Sequence, residues 1–191
     1  MLNIPLITML FIGVNLDFFI ILLFLMNRFS FKKTFFGYEL GMLIIFIISA
    51  LAGQTIQVLM PSWLIGVLGL IPIFMGIKGE SDNDEDDAPK HSTKGLLAVT
   101  LVYVSTCGAD NIAVYVPVLA TLTFVNLLMT AIYFIILTAL SLLLANYVRQ
   151  LPFIQKIFEK WGAPISRLVY ILIGMFVMLD TGFIQHLWSL L

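Results

Sequence analysis

Residues 122–147 contain no charged side chain, and five other long apolar runs recur along the chain. A helix needs about 20 such residues to cross the hydrocarbon layer of a bilayer. Within that layer every backbone N–H and C=O must be bonded inside the protein, so only helices and closed barrels can span it. The runs cover residues 4–26, 37–60, 63–77, 95–119, 122–147 and 168–190, the third being short and carrying Pro72. They predict an all-α integral membrane protein with six transmembrane helices. Composition agrees: 61% of residues are apolar and 11% charged, whereas soluble domains are about half apolar and a quarter charged. The mean hydropathy of +1.06 leaves the outer surface greasy as well. No basic region precedes the first run and no small-residue cleavage site follows it, so a retained span is expected. A net charge of −1 supplies no general attraction to nucleic acid.

The basic residues predict the orientation. Arg28, Lys32 and Lys33 follow the first run; Lys78, Lys90 and Lys94 follow the third; Arg149, Lys156, Lys160 and Arg167 follow the fifth. A six-span path puts all three connections on one side. Cytoplasmic loops carry the excess of Lys and Arg, so that side is cytoplasmic and both termini face out. The turns at 60–62 and 120–121 are short, which predicts that spans two and three, and four and five, are antiparallel neighbours.

Between the third and fourth spans, the run from Glu80 to Asp87 has six acids in eight residues. Charge runs of this kind are solvated linkers first and metal-gathering strips second. Asp82, Asp84 and Asp86 have the spacing of a calcium loop's first ligands, but Asp87 and Thr93 stand where its glycine and closing glutamate belong. The linker divides the chain into a first three-helix half at 1–77, an acidic cytoplasmic segment at 78–94, and a second half at 95–191. Each leading helix has one aspartate inside the apolar run, Asp17 or Asp110, and a glycine shortly before it, Gly13 or Gly108. Residues 71–76 and 169–174 echo one another more weakly. Because the halves run in opposite senses, these echoes suggest an inverted 3+3 repeat. Transporters of that plan bind substrate near mid-membrane, where interrupted helices meet. Gly13, Gly108, Pro117 and Pro72 are the candidate interruptions.

A carboxylate at mid-membrane is costly and persists mainly when paired, protonated or functional. Polar residues flank both aspartates: Asn15 near Asp17, and Ser105, Thr106, Cys107 and Asn111 near Asp110. On a regular helix Asn15 and Asp17 point about 200° apart, so both reach one ligand only if the helix unwinds or Asn15 supports nearby backbone. Cys107 and Asp110, three apart, share a face. Asp17, Asp110, Asn15, Asn111 and Cys107 together offer two anionic oxygens, amide oxygens and one soft sulfur. That mixture suits a borderline or soft divalent cation better than magnesium. The same residues also have plainer uses: protonated aspartates and asparagines as interhelical hydrogen-bond partners, and Cys107 as a small packing residue.

The fourth run resembles the signature of the bacterial cadmium-resistance transporters, within the lysine-exporter superfamily. Members have a Gly-Gly-Asp-Asn-Ile core leading to Tyr-x-Pro, matched by Gly108, Asp110, Asn111, Ile112, Tyr115 and Pro117. Residues 69–78 are similar to the third-span motif, 37–41 to the start of the second span, and Asn15 to Asp17 to the acidic motif of the first. Three departures stand out, the first being Ala109 in place of the core's second glycine. Phe18 occupies the place of a second aspartate, and Cys107 stands where asparagine is common.

The resemblance implies secondary-active efflux of a divalent heavy-metal cation, Cd²⁺ first and Zn²⁺ or Mn²⁺ after it, across a bacterial plasma membrane. The expected partners are that ion and the lipid bilayer, with a homo-oligomer an open option and no organic cofactor. Exchange for protons at Asp17 and Asp110 would supply the energy, since no phosphate-cradling Gly-rich loop with its lysine is present. Export of an amino acid is the alternative, and half-helix N-termini would then have to hold its carboxylate. An intramembrane aspartyl protease is a remote one, because Gly108 to Asp110 only superficially matches such enzymes. A transporter, not an enzyme, is the expectation.

Overall fold

The computed structural model describes residues 3–78, 95–149 and 151–188, and for residue 17 and residues 152–159 the backbone alone. The acidic run, Lys90, His91 and Lys94 lie outside the described residues, so the expectations for the linker are not addressed by it. The described chain is helical, with no strand: α1 (Ile4–Arg28), α2 (Phe31–Leu59), α3 (Ser62–Leu68), α4 (Leu70–Lys78), α5 (Gly95–Leu119), α6 (Phe124–Val148), α7 (Pro152–Asp180) and α8 (Phe183–Trp188).

Local chemistry sets these boundaries. The Asn3 side chain accepts from the Leu6 N–H at 3.2 Å and starts α1. At the other end of that helix Arg149 donates from Nη1 to the Met26 carbonyl at 2.8 Å, placing a cation where the helix dipole is negative. Pro61 follows the end of α2, and Thr123 caps α6. Gln54 of α2 donates to the Leu119 and Leu122 carbonyls, both at 3.1 Å, where α5 ends and its last carbonyls run out of regular helical partners.

Four stretches are long and apolar enough to cross a bilayer: Phe31–Leu59, Gly95–Leu119, Phe124–Val148 and Lys160–Asp180. The bent helix α1 makes a fifth if its two arms count as one span. The third apolar run is not one helix but α3 and α4, broken at Gly69. Together they cover Ser62–Lys78, roughly 25 Å at helical rise, against a hydrocarbon layer of about 30 Å. The last run also differs from expectation. Instead of one helix over 168–190, α7 ends at Asp180, Gly182 adopts φ +73°, and α8 turns back so that His186 stacks on Trp63 of α3 at 4.3 Å. Hydropathy averaged over a span does not register that break, because the longer apolar stretches before Asp180 and after Gly182 outweigh it.

The tightest packing runs between the two sequence halves. α2 lies parallel to α5, with Gly37 against Leu96 and Val99, Gly41 against Tyr103, and Gly53 against Val116 and Ala120. α1 lies parallel to α6, where Thr8 meets Tyr133 and Met26 meets Arg149. α4 crosses α7 in the antiparallel sense, Gly69 meeting Gly174 and Gly76 meeting Arg167. By contrast α5 and α6, joined by a tight turn, bring their backbones close at few points and meet through side chains such as Tyr115 and Phe134, and α2 and α3 approach little. Short turns therefore do not select the closest packing partners. A turn reverses direction, but close packing goes where small residues let backbones approach. α6 has no glycine, whereas α2 has three facing α5.

Polarity is arranged for lipid. Leu128, Ile132, Ile136, Leu140 and Leu144 form an exposed apolar stripe along α6, while Asn15, Thr100, Asn111, Thr130 and Thr138 are buried. A Cβ at Gly37 would sit 2.6 Å from the Leu96 carbonyl oxygen and 2.7 Å from Val99 Cβ. Gly37→Ala is therefore expected to destabilise the protein by about 1–3 kcal/mol in detergent unfolding. Gly108→Ala, whose Cβ would meet the tip of Ile45 at 3.2 Å and Val104 Cγ1 at an ordinary 3.8 Å, should cost less than that or nothing. Equal losses at the two sites would contradict a close α2–α5 contact.

Candidate functional site

The site grows from one residue, Asn15, which is 5% exposed. Its Nδ2 donates to the Phe11 carbonyl one turn earlier at 2.9 Å and to the Tyr115 hydroxyl at 3.2 Å. Its Oδ1 accepts from the Tyr38 hydroxyl at 3.0 Å and lies 2.9 Å from that of Tyr103. A single amide thus joins α1, α2 and α5. The helix bends here by 60° between Ile4–Leu16 and Phe18–Arg28. A side chain bonded into the carbonyl ladder is one of the recognised causes of a kink, and Asn15 does this at Phe11. The bend leaves Asp17 at its vertex. Gly13, the candidate interruption, instead packs against Val169 of α7.

On α5, Tyr103, Cys107, Asn111 and Tyr115 recur every fourth residue and so occupy one side of the helix. All four are buried. Asn111 is oriented with Nδ2 donating to the Val14 carbonyl at 3.1 Å and to the Cys107 carbonyl at 3.3 Å, and with Oδ1 2.8 Å from the Tyr103 hydroxyl. In the opposite orientation Nδ2 would donate to Tyr103 at 2.8 Å, but Oδ1 would face those two carbonyl oxygens, an acceptor against acceptors. In the chosen orientation the Tyr103 hydroxyl has one proton for two amide oxygens, those of Asn15 and Asn111. Tyr38 already donates to the Asn15 oxygen, so the Tyr103 proton is free for Asn111 and each amide oxygen accepts a hydrogen bond.

Aromatic rings close the cluster on both sides. Phe18 lies 5.0 Å from the Tyr38 ring and 4.7 Å from the Tyr103 ring, and those two are 5.1 Å apart. At the other end, Phe134 of α6 meets Phe11 at 5.2 Å, Tyr115 at 5.4 Å and Phe46 at 5.5 Å. Such edge and tilted arrangements are favourable for ring quadrupoles. Between the two ring groups lies a polar centre sealed from water.

The structure brings Asn15, Asn111 and Cys107 to this centre, Cys107 one turn before Asn111 with its sulfur 3.4 Å from the Thr106 hydroxyl. Asp110 is half-buried, adjacent to Asn111 on α5. The side chain of Asp17 is outside the described residues. Gly108 and Pro117 lie within α5, which runs unbroken through both, and Pro72 lies in α4 just past the break at Gly69. Among the described residues no three His, Cys, Asp or Glu side chains converge, so a cation here would rely on amide and phenol oxygens beside any carboxylate. The three tyrosines were not singled out as site residues from the sequence, although the four-residue spacing of polar groups along α5 is visible there.

A family model for cadmium resistance transporters matches residues 11–190, from the start of the polar cluster almost to the end of the chain. No curated protein and no solved structure matches the chain. With the match covering all but the first turns and the final residue, this chain belongs to the cadmium resistance transporter family.

Proposed function

We propose that the protein exports a divalent heavy-metal cation, Cd²⁺ first and Zn²⁺ or Mn²⁺ after it, in exchange for protons. The site lies between α1 and α5 in a bacterial plasma membrane. The observation that carries this reading is the sealed polar centre at the bend of α1, where amide and phenol oxygens from three helices converge next to Asp110 on α5. A cation that displaces these hydrogen bonds meets several oxygens at once, with the aspartates to balance its charge. Asp17, Asp110, Asn15, Asn111 and Cys107 are the proposed ligands, and Asp17 and Asp110 the proton carriers. Each aspartate holds either metal or proton, so loading one expels the other. Entry of the cation requires Tyr38 and Tyr103 to leave Asn15. Opening the Phe18 side or the Phe134 side in turn would give alternating access.

The six-span, inverted 3+3 arrangement with both termini outside, its halves at 1–77 and 95–191, is part of the same proposal. Two features support it. The directions of α2 with α5, α1 with α6, and α4 with α7 are those of six crossings in alternation. The α4–α7 contact is also self-complementary. Superposing 71–76 on 169–174 sets Gly76 on Gly174, Ile73 on Ile171 and Gly69 on Arg167. The contact of Gly76 with Ile171 and the Arg167 carbonyl then becomes that of Gly174 with Ile73 and the Gly69 carbonyl, and both occur. Such reciprocity is the mark of a two-fold relation.

The test is flux of Cd²⁺, Zn²⁺ and Mn²⁺ from purified protein in liposomes, with and without a pH gradient. Cd²⁺ flux accelerated by inward proton movement is expected. Flux of a neutral amino acid without any metal would overturn the reading. Cys107→Ser refines it: a sulfur ligand should be missed more by Cd²⁺ than by Mn²⁺, because soft ligands select by type. A ratio of the two affinities unchanged within about twofold, under roughly 0.4 kcal/mol, would assign Cys107 to packing.

A further inference from the structure

Glu39 lies in the third turn of α2. It is 7% exposed, and neither carboxyl oxygen has a hydrogen-bond partner among the described residues. An ionised carboxylate in that position would cost several kcal/mol, while a neutral acid of the same shape costs far less. Packing alone would be served better by Leu or Met, so the acid calls for a use. Its neighbours on α2 connect it to the polar centre. Tyr38, the preceding residue, donates to Asn15. Gly37 and Gly41 press on α5, where the Thr100 hydroxyl donates to the Gly37 carbonyl at 2.9 Å. A movement of α2 that takes Tyr38 off Asn15 therefore carries Glu39 with it and changes its burial.

Other titratable groups surround this stretch. Lys32, Lys33 and Tyr38 lie on α2 itself. The elements packed against it contribute Asp17 and Arg28 from α1, Tyr103, Cys107, Asp110 and Tyr115 from α5, and Tyr133 and Tyr147 from α6, with Arg149 just beyond. α3 contributes none. No hydrogen bond joins any of them to Glu39 among the described residues.

We propose that Glu39 is a further proton-carrying carboxyl of the export path, neutral in this packed arrangement and ionised, hence open to the cation, when α2 loosens from α1 and α5. On ionisation the O–H bond breaks with its electron pair left on the carboxylate, and the proton passes to water on the side from which the cation loads. After the cation leaves, a proton from water on the other side restores the acid. The inference rests on the export reading and adds one exchangeable proton to it.

Glu39→Gln has the shape of the neutral acid and cannot ionise. In liposomes it is expected to fold, to lower Cd²⁺ flux at least about tenfold and to flatten its pH dependence. In weakly buffered detergent solution it should release about one proton fewer per bound Cd²⁺ than the parent. Glu39→Asp, which keeps an acid, should retain the pH dependence. It should also shift the infrared band of the neutral carboxyl that the parent loses on adding Cd²⁺. The parent pH profile and proton count in Glu39→Gln, at any flux, would overturn the inference, as would an unshifted band in Glu39→Asp. Normal Glu39→Gln beside inactive Asp110→Asn would fell this inference alone. A parent that moves no divalent cation would fell the export reading and this with it.

Discussion

Asp110→Asn is expected to leave the protein folded and inserted while transport all but stops. Asparagine keeps the size and hydrogen-bonding reach of aspartate but removes its charge and its proton. Asp110 is half-buried on α5, beside Asn111 and one turn from Cys107, so the bulk of the helix contact with α2 does not depend on it. A lost anionic ligand in a site sealed by rings should lower Cd²⁺ affinity at least ~100-fold, about 2.8 kcal/mol. It should also remove one step from the pH profile. The measurements are Cd²⁺ binding in detergent and flux in liposomes over roughly pH 6–8, bracketed around neutrality where exchange with metal would be felt. Parent-level flux across that range would exclude proton–metal exchange at this residue.

The second large effect concerns stability. Asn15→Leu removes the amide that joins three helices, stranding the Tyr38 hydroxyl and taking one partner each from Tyr103 and Tyr115. Hydrogen bonds inside membrane proteins are worth roughly 0.6–2 kcal/mol each, so the loss of this set should total about 2–5 kcal/mol. It should also straighten α1, since no side chain would then compete for the Phe11 carbonyl. Unfolding in detergent and the distance between spin labels on the two arms of α1 measure these effects. Asn15→Asp serves as the comparison, since it retains the acceptor that Tyr38 needs. Unchanged stability and an unchanged bend in Asn15→Leu would show that the kink and the three-helix junction have another origin.

The helical class, the lipid environment and the location of the polar residues were legible in the sequence, because each is a property of one segment at a time. The uncharged run at 122–147 must be helical wherever it packs, and α5 spans 95–119 as its composition indicates. Asp110, Asn111 and Asn15 stand out because polar groups in apolar runs are costly. Family membership was legible for a similar reason: the order of Gly108, Asp110, Asn111, Tyr115 and Pro117 is a local pattern, and the match over residues 11–190 agrees with it.

What depended on tertiary structure was every relation between segments that hydropathy treats as equivalent. Which helix packs on α5 is decided by the glycines of α2, whose missing side chains matter only once a backbone lies opposite. The end of α7 depends on Gly182 taking a left-handed turn so that α8 can reach α3. Three tyrosines spread over two helices become one site only because a kinked α1 carries Asn15 to their hydroxyls. Glu39, at the end of an apolar run, reads as a residue that could reach water or a nearby lysine. Folding buries both its oxygens without a hydrogen-bond partner among the described residues. The sequence determined which groups would be costly in lipid, since that cost belongs to the residue itself. The fold determined which of those costs are offset, because hydrogen bonds and close contacts need a second segment at a defined distance.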